Sequence, residues 1–269
     1  MHGTFPSVPH AQARQRTLLK PIGCTGVGLH SGVRLEMELS PAPADSGIVF
    51  YRSDVGVEIP AHVTSVSDTR LATQLAASEA PEVRIGTVEH LLAAFAALGV
   101  DNARVSLDGP EVPVLDGSAA PFVFLVDCAG LTDLDAPRRE LTILRPVTAA
   151  EGDAFVELLP HDAPGLTMPG LTMEVSIDFA QPAIGHQALS LALTEATFRR
   201  EIAAARTFTT ADAIDGLRAA GLARGGSLEN AVVVENARIL NPAGLRMPDE
   251  FVRHKLLDAV GDLSLAGLP

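Results

Sequence analysis

An α+β fold is what this sequence predicts, and three observations carry the prediction. Strand-like segments precede helix-like segments in blocks and do not alternate strictly with them, which disfavours a doubly wound parallel sheet. A similar order of elements occurs in both halves of the chain, on either side of a polar stretch at residues 132–139 (TDLDAPRR) that reads as a domain boundary. With 47% hydrophobic and 20% charged residues over 269 positions, there is enough apolar material for one large core or two ordinary ones, and global disorder is excluded.

Taken in order, residues 1–14 are polar and read as a loose tail. The first unit, residues 15–134, opens with a strand at 17–20 and a glycine-rich turn at 23–32. Residues 33–39 (VRLEMEL) alternate apolar and polar, the mark of a half-buried strand, and residues 47–51 and 103–107 add two more. Residues 88–98 are apolar nearly all round a helical wheel, which predicts a buried helix; residues 119–129 form a second, short one. The second unit, residues 140–269, is expected to carry strands near 140–144, 154–159 and 171–179. Helices over 195–205 and 211–220 and a strand within 231–239 follow. Pro248 then sits in the first turn of a last helix, with Asp249 and Glu250 at the positive end of its dipole.

Composition narrows the function classes. Twenty Lys and Arg against 33 Asp and Glu give a net charge of −13, so a broad nucleic-acid footprint is disfavoured, while a few cations in one pocket still suit a small anion. No Trp and one Tyr leave little to stack on single strands. Two cysteines, Cys24 and Cys128, point to a reducing compartment. The first twenty residues show no export signal, and the longest apolar run, residues 91–100, is about half a bilayer span, so a cytoplasmic protein is expected.

The candidate chemistry lies at two helix segments. His254 and Asp258 are four residues apart, so they stand about 40° from each other on one helix face and offer a nitrogen and an oxygen to a divalent metal. Alone, the pair reads most simply as a solvated face; Lys255 beside it and the flanking Phe251 and Leu265 argue for a partly buried stripe with a cation for an anionic ligand. Glu89 and His90 are adjacent and point about 100° apart, which suits His90 as a ligand and Glu89 as a neighbouring base. Alone, they read as a first-turn acid and an ordinary histidine. Together the segments supply His, His and Asp plus a free carboxylate, the make-up of a catalytic zinc site with its general base. Other motifs fail: residues 23–32 miss the third glycine of a dinucleotide fingerprint at Ser31, nothing supports Cys24 with His30 as a thiol nucleophile, and residues 225–227 read as a flexible turn.

Five motifs then occur in one order: GVGLHSG at 26–32, TVEHL at 87–91, DGSAAPF at 116–122, ARTF at 205–208 and FVRHKLLDAVGD at 251–262. In these the chain resembles the bacterial UDP-3-O-acyl-N-acetylglucosamine deacetylases, zinc enzymes of lipid A biosynthesis, from about Gln15 to its last residue. The resemblance implies two similar α+β domains, each layering a sheet against helices, with the active site between them. It implies Zn²⁺ on His90, His254 and Asp258, with Glu89 as general base. It implies Thr207 as donor to the oxyanion and Asp262 as support to the catalytic groups. The substrate, a UDP-linked acylated amino sugar, would meet Lys255 at its diphosphate, Phe179 at uracil and Asp178 at ribose. An insert from Phe208 to about Val233 would form an apolar passage for the acyl chain, and a monomer is expected.

The family also carries a general-acid histidine downstream of its second metal segment. No histidine follows His254 here, so the expectation is an incomplete second unit and a strongly impaired chain. Competing readings are a catalytically silent protein that binds UDP-sugar or zinc, and a hydrolase of the same chemistry acting on another amide.

Overall fold

Alternation along the chain builds the largest sheet, as the α+β class requires. In the strand Arg34–Pro41, Leu35, Met37 and Leu39 are buried while Arg34, Glu36 and Glu38 face solvent. This strand lies second in a five-stranded sheet of spatial order Ile22–Val27, Arg34–Pro41, Ala103–Leu107, Ile48–Arg52, Val57–Pro60. Neighbours are antiparallel except Ala103–Leu107 with Ile48–Arg52, which run parallel. Helices α1 (Glu89–Leu98) and α2 (Ala120–Ala129) share one core with the sheet's inner face. Phe50, Phe95 and Phe122 are buried there, each contributing about 1.5–3 kcal/mol. The computed structural model describes residues 13–160 and 170–267. The expected tail therefore lies outside the described residues as far as residue 12, and Arg14 already belongs to the strand Arg14–Leu18.

The structure corrects several sequence expectations, beginning in the first half. The glycine-rich stretch at 23–32 is strand as far as Val27, and only its second part turns. Its glycines serve close approach: a Cβ on Gly23 would come within 3.2 Å of the Met37 carbonyl oxygen, and one on Gly26 within 2.6 Å of Pro113. Residues 132–137 of the polar stretch at 132–139 are also strand. Leu131–Pro137 pairs antiparallel with Arg14–Leu18, and it is polar because alternate residues face solvent.

In the second half, residues 140–144 are not strand; Val147–Glu151 takes that place after Pro146 and pairs with Ala154–Leu158 across the turn at Gly152. Leu171–Asp178 pairs with a strand the sequence reading missed, His186–Leu193. The helix expected at 195–205 is shorter: α3 (Glu195–Thr197), capped by Thr194, runs into a wider π turn at Phe198–Ile202. Next comes a three-stranded sheet of Phe208–Thr210, Val232–Glu235 and Arg238–Ile239, with α4 (Ala211–Ala219) between its first two strands. The last helix, α5 (Glu250–Ser264), packs against α1 and against the Leu171–Asp178 and His186–Leu193 hairpin. The short strands Val66–Asp68, Gln74–Ala76 and Arg84–Ile85 form a sheet of their own ahead of α1. Among the described residues no helix is long and apolar enough to cross a membrane.

Candidate active site

The site exists because α1 and α5 meet backbone to backbone. Gly261 of α5 lies on the carbonyl of Glu89, the first residue of α1, so closely that a Cβ there would overlap the Glu89 carbonyl oxygen and carbon. Just ahead of α1, Thr87 is held at φ 57, a strained conformation for a β-branched residue. Its hydroxyl donates to Glu111 Oε1 at 2.9 Å, and the same buried carboxylate accepts the backbone N–H groups of His30 and Ser31, each at 2.9 Å. Glu111 thus ties the turn after Val27 to the start of α1.

This crossing brings together residues 164 and more positions apart, His90 from α1 with His254 and Asp258 from α5, whose donor atoms all lie within 4.8 Å of one another. Asp258 Oδ1 is 3.5 Å from His90 Nε2 and 3.3 Å from His254 Nε2. Donors about 2.0–2.1 Å from a tetrahedral ion stand ~3.3–3.4 Å apart, so the spacing fits a metal. Two further observations agree. Asp258 Oδ1 is buried and has no hydrogen-bond partner among the described residues. His254 Nδ1 lies 3.0 Å from the Ala205 carbonyl oxygen; donating there fixes the tautomer that leaves Nε2 with its lone pair facing the group.

The site is a tight cluster of mutually perturbed charges. Burial pushes the Glu89 carboxyl up to about 7, with the charge of Asp258 adding to the rise and His90 opposing it. Burial pulls His254 down to about 4, so it stays neutral and able to ligate at ordinary pH. Burial also pulls on His90, but the Asp258 carboxylate outweighs it and leaves His90 above its usual value. Asp258 is pushed up by burial, yet His254, Lys255 and His90 outweigh that and hold it well below the usual carboxylate range.

The remaining predicted residues surround this group. Lys255 is exposed, with Nζ 3.0 Å from Asp258 Oδ2 and 5.4 Å from the centre of the Phe208 ring. Phe208 packs edge-on against Phe179 at 5.4 Å and Phe251 at 4.9 Å, and its ring centre is 6.3 Å from that of His254. Thr207 is half-buried, its backbone held by the Gly117 carbonyl and by Val232 N–H, both at 2.8 Å. Asp262 accepts from the Thr73 hydroxyl at 2.6 Å. Asp178 ends its strand opposite His186, exposed and next to Phe179.

Sequence reasoning missed a second buried pair. Glu250 is not only a first-turn acid. It accepts from Arg206 N, Nε and Nη2 at 3.0, 2.8 and 3.1 Å and from Arg246 N at 2.7 Å, with no solvent exposure. Arg206 lies between Ala205, which orients His254, and Thr207, so this clasp fixes the ARTF segment to the start of α5. Thr73 and Glu111 were missed as well. Only the hydrogen bonds reveal them, because each acts on a segment distant in sequence.

A family model described as "LpxC: UDP-3-O-acyl N-acetylglycosamine deacetylase" matches residues 15–269. The chain belongs to this family. A protein of Anaeromyxobacter sp. (strain Fw109-5), named UDP-3-O-acyl-N-acetylglucosamine deacetylase, is 50% identical over 255 residues, covering 95% of this chain and 81% of that protein. Proteins of the same name from Acidithiobacillus ferrooxidans (strain ATCC 53993 / BNL-5-31) and Pseudomonas entomophila (strain L48) are each 48% identical. The first match covers 95% of this chain and 82% of its own, the second 94% and 82%. The family is one of metalloenzymes, and among the described residues His90, His254 and Asp258 form a group that could hold a metal ion.

Proposed function

We infer that this chain hydrolyses the N-acetyl group of UDP-3-O-acyl-N-acetylglucosamine, releasing acetate, in the pathway to lipid A. The observation that carries this is the gathering of three potential metal donors, His90, His254 and Asp258, within 4.8 Å of one another, with the buried Glu89 next to His90, in a chain of this family. In the domain reading, residues 15–134 and 140–269, α1 belongs to one unit and α5 to the other, so the donor group would lie between the two.

The metal is taken as zinc, which suits two imidazoles and a carboxylate. His90, His254 and Asp258 would hold the ion, which would supply Lewis acidity toward water and the amide carbonyl. Glu89 takes a proton from the attacking water and is placed to return it to the departing 2-amine. The Thr207 hydroxyl donates to the developing oxyanion, and Asp262 supports the catalytic groups from α5. Lys255 meets the diphosphate. Phe179 offers its face to uracil, Asp178 lies near the ribose, and Phe208 opens the acyl passage. The half-buried stripe of Ala211, Ile214 and Leu217 on α4 supports an apolar wall there. We take the enzyme to act as a monomer in the cytoplasm.

The test is acetate release from UDP-3-O-acyl-N-acetylglucosamine, lost on chelation and restored by zinc. Protein with bound zinc and substrate affinity but no acetate release would leave a silent binding protein instead. Asp258→Ala should reduce bound zinc well below one ion per chain, because it removes the oxygen that stands 3.5 and 3.3 Å from the two imidazole nitrogens. Metal analysis showing a full equivalent in that variant would overturn the ligand assignment.

A further inference from the structure

We propose that Thr73 is a positioning residue that sets Glu89 and Asp262 relative to each other; this rests on the deacetylase reading above. Thr73 is buried just ahead of the strand Gln74–Ala76, after a left-handed turn at Leu71 with φ 69. All three of its polar groups are engaged around the site. Its N–H donates to Glu89 Oε2 at 3.1 Å, its hydroxyl to Asp262 Oδ1 at 2.6 Å, and its carbonyl accepts from Val88 N at 3.4 Å.

The arrangement solves a physical problem. Glu89 belongs to α1 and Asp262 to α5, and two carboxylates in one partly dry site repel each other. A single residue donating to both holds them apart at fixed orientation without adding a full positive charge. The 2.6 Å hydroxyl bond is in the range of a charge-assisted one, the kind that fixes geometry most strongly. One oxygen of Glu89 is committed to the Thr73 N–H, so the other is left for proton exchange. Thr73 touches neither the metal donors nor, in this reading, the substrate; it acts through the two carboxylates.

The hydroxyl is the part that can be removed cleanly. Thr73→Val keeps the branched shape and the backbone N–H, whereas Thr73→Ser keeps the hydroxyl. In the zinc-loaded protein, Thr73→Val should lower kcat about 10–100-fold with KM within about twofold and metal content unchanged, the usual size of a supporting-shell loss. Thr73→Ser should recover to within about threefold of wild type. In an Asp262→Asn background the Thr73→Val change should cost less than about twofold, because the effect runs through Asp262. Unchanged kcat in Thr73→Val, equal impairment in Thr73→Ser, or full multiplication of the two effects would each overturn the proposal. A crystal structure of Thr73→Val reads the claim without turnover: the Asp262 carboxylate should leave its present orientation, and an unmoved carboxylate counts against Thr73. Glu89→Gln measured alongside separates the two levels, since full turnover in that variant removes the base assignment whatever Thr73 does.

Discussion

Glu89→Gln should lower kcat by roughly two to four powers of ten, the usual contribution of a positioned base, and at the same time stabilise the metal-free protein above neutral pH. The two effects have one origin. An amide cannot take a proton from water, so turnover falls, yet Glu89 is outside the donor group and zinc content should not change. The stability effect follows from burial. The Glu89 carboxyl has an ordinary value of 4.5 and is pushed up to about 7 in the fold. Below pH 4.5 it is protonated both folded and unfolded and costs nothing. As pH rises from 4.5 to 7 the unfolded chain releases the proton first, and the folded state loses ground. Above pH 7 the penalty is complete, about 3 kcal/mol. The neutral amide escapes it. Denaturant melts of chelated protein at pH 4.5 and pH 8 should therefore show a gap between Glu89→Gln and wild type that is near zero in acid and favours the variant in base. A gap that shrinks as pH rises would contradict a buried, destabilised base.

Much of this site was legible as residue types and little of it as geometry. His254 and Asp258 were readable because helical spacing alone puts residues four apart on one face, and α5 does form there. The adjacency of Glu89 and His90 likewise implied two directions and two roles. Nothing in local spacing says that α1 meets α5; that depends on Gly261, which in a one-dimensional reading is only a weak helix former. The same limit applies to the fold. Residues 103–107 alternate cleanly and are strand at those bounds. His186–Leu193 (HQALSLAL) was missed because both its faces carry apolar residues, so the period of two has little contrast even though its burial alternates. Gly23 and Gly26 were read as turn residues because glycine's need for space against a neighbouring strand looks, in sequence, like its freedom to turn. Thr73 left no trace at all. Half of its action passes through a backbone N–H, which every residue except proline possesses.

The dependence of the site on one glycine gives the second large effect. On an open helix face Gly→Ala is stabilising, by up to about 1 kcal/mol. Gly216 of α4 is such a position: an added Cβ would meet nothing within 4 Å, so Gly216→Ala should raise stability by that order. Gly261→Ala should do the opposite. Its Cβ would overlap the carbonyl oxygen and carbon of Glu89, and backbone cannot swing aside as a side chain can. Nor can α1 retreat, because Leu91, Leu92, Ala93, Ala94 and Phe95 are all buried behind and beside it. α5 must therefore move outward, and the helix propensity gained is outweighed by overpacking of about 1–3 kcal/mol or more. The displacement acts unequally on the metal donors. His254 and Asp258 lie on one helix and keep their 3.3 Å spacing, but the 3.5 Å gap from Asp258 to His90 spans both helices and must widen. Zinc affinity should fall at least about tenfold, beyond what the loss of stability explains. Chelator competition and melting curves on Gly261→Ala and Gly216→Ala, measured together, check both halves of the argument. If Gly261→Ala binds zinc as wild type does and melts no lower, the helix crossing is not set at Gly261, and the fit of the three donors has another cause.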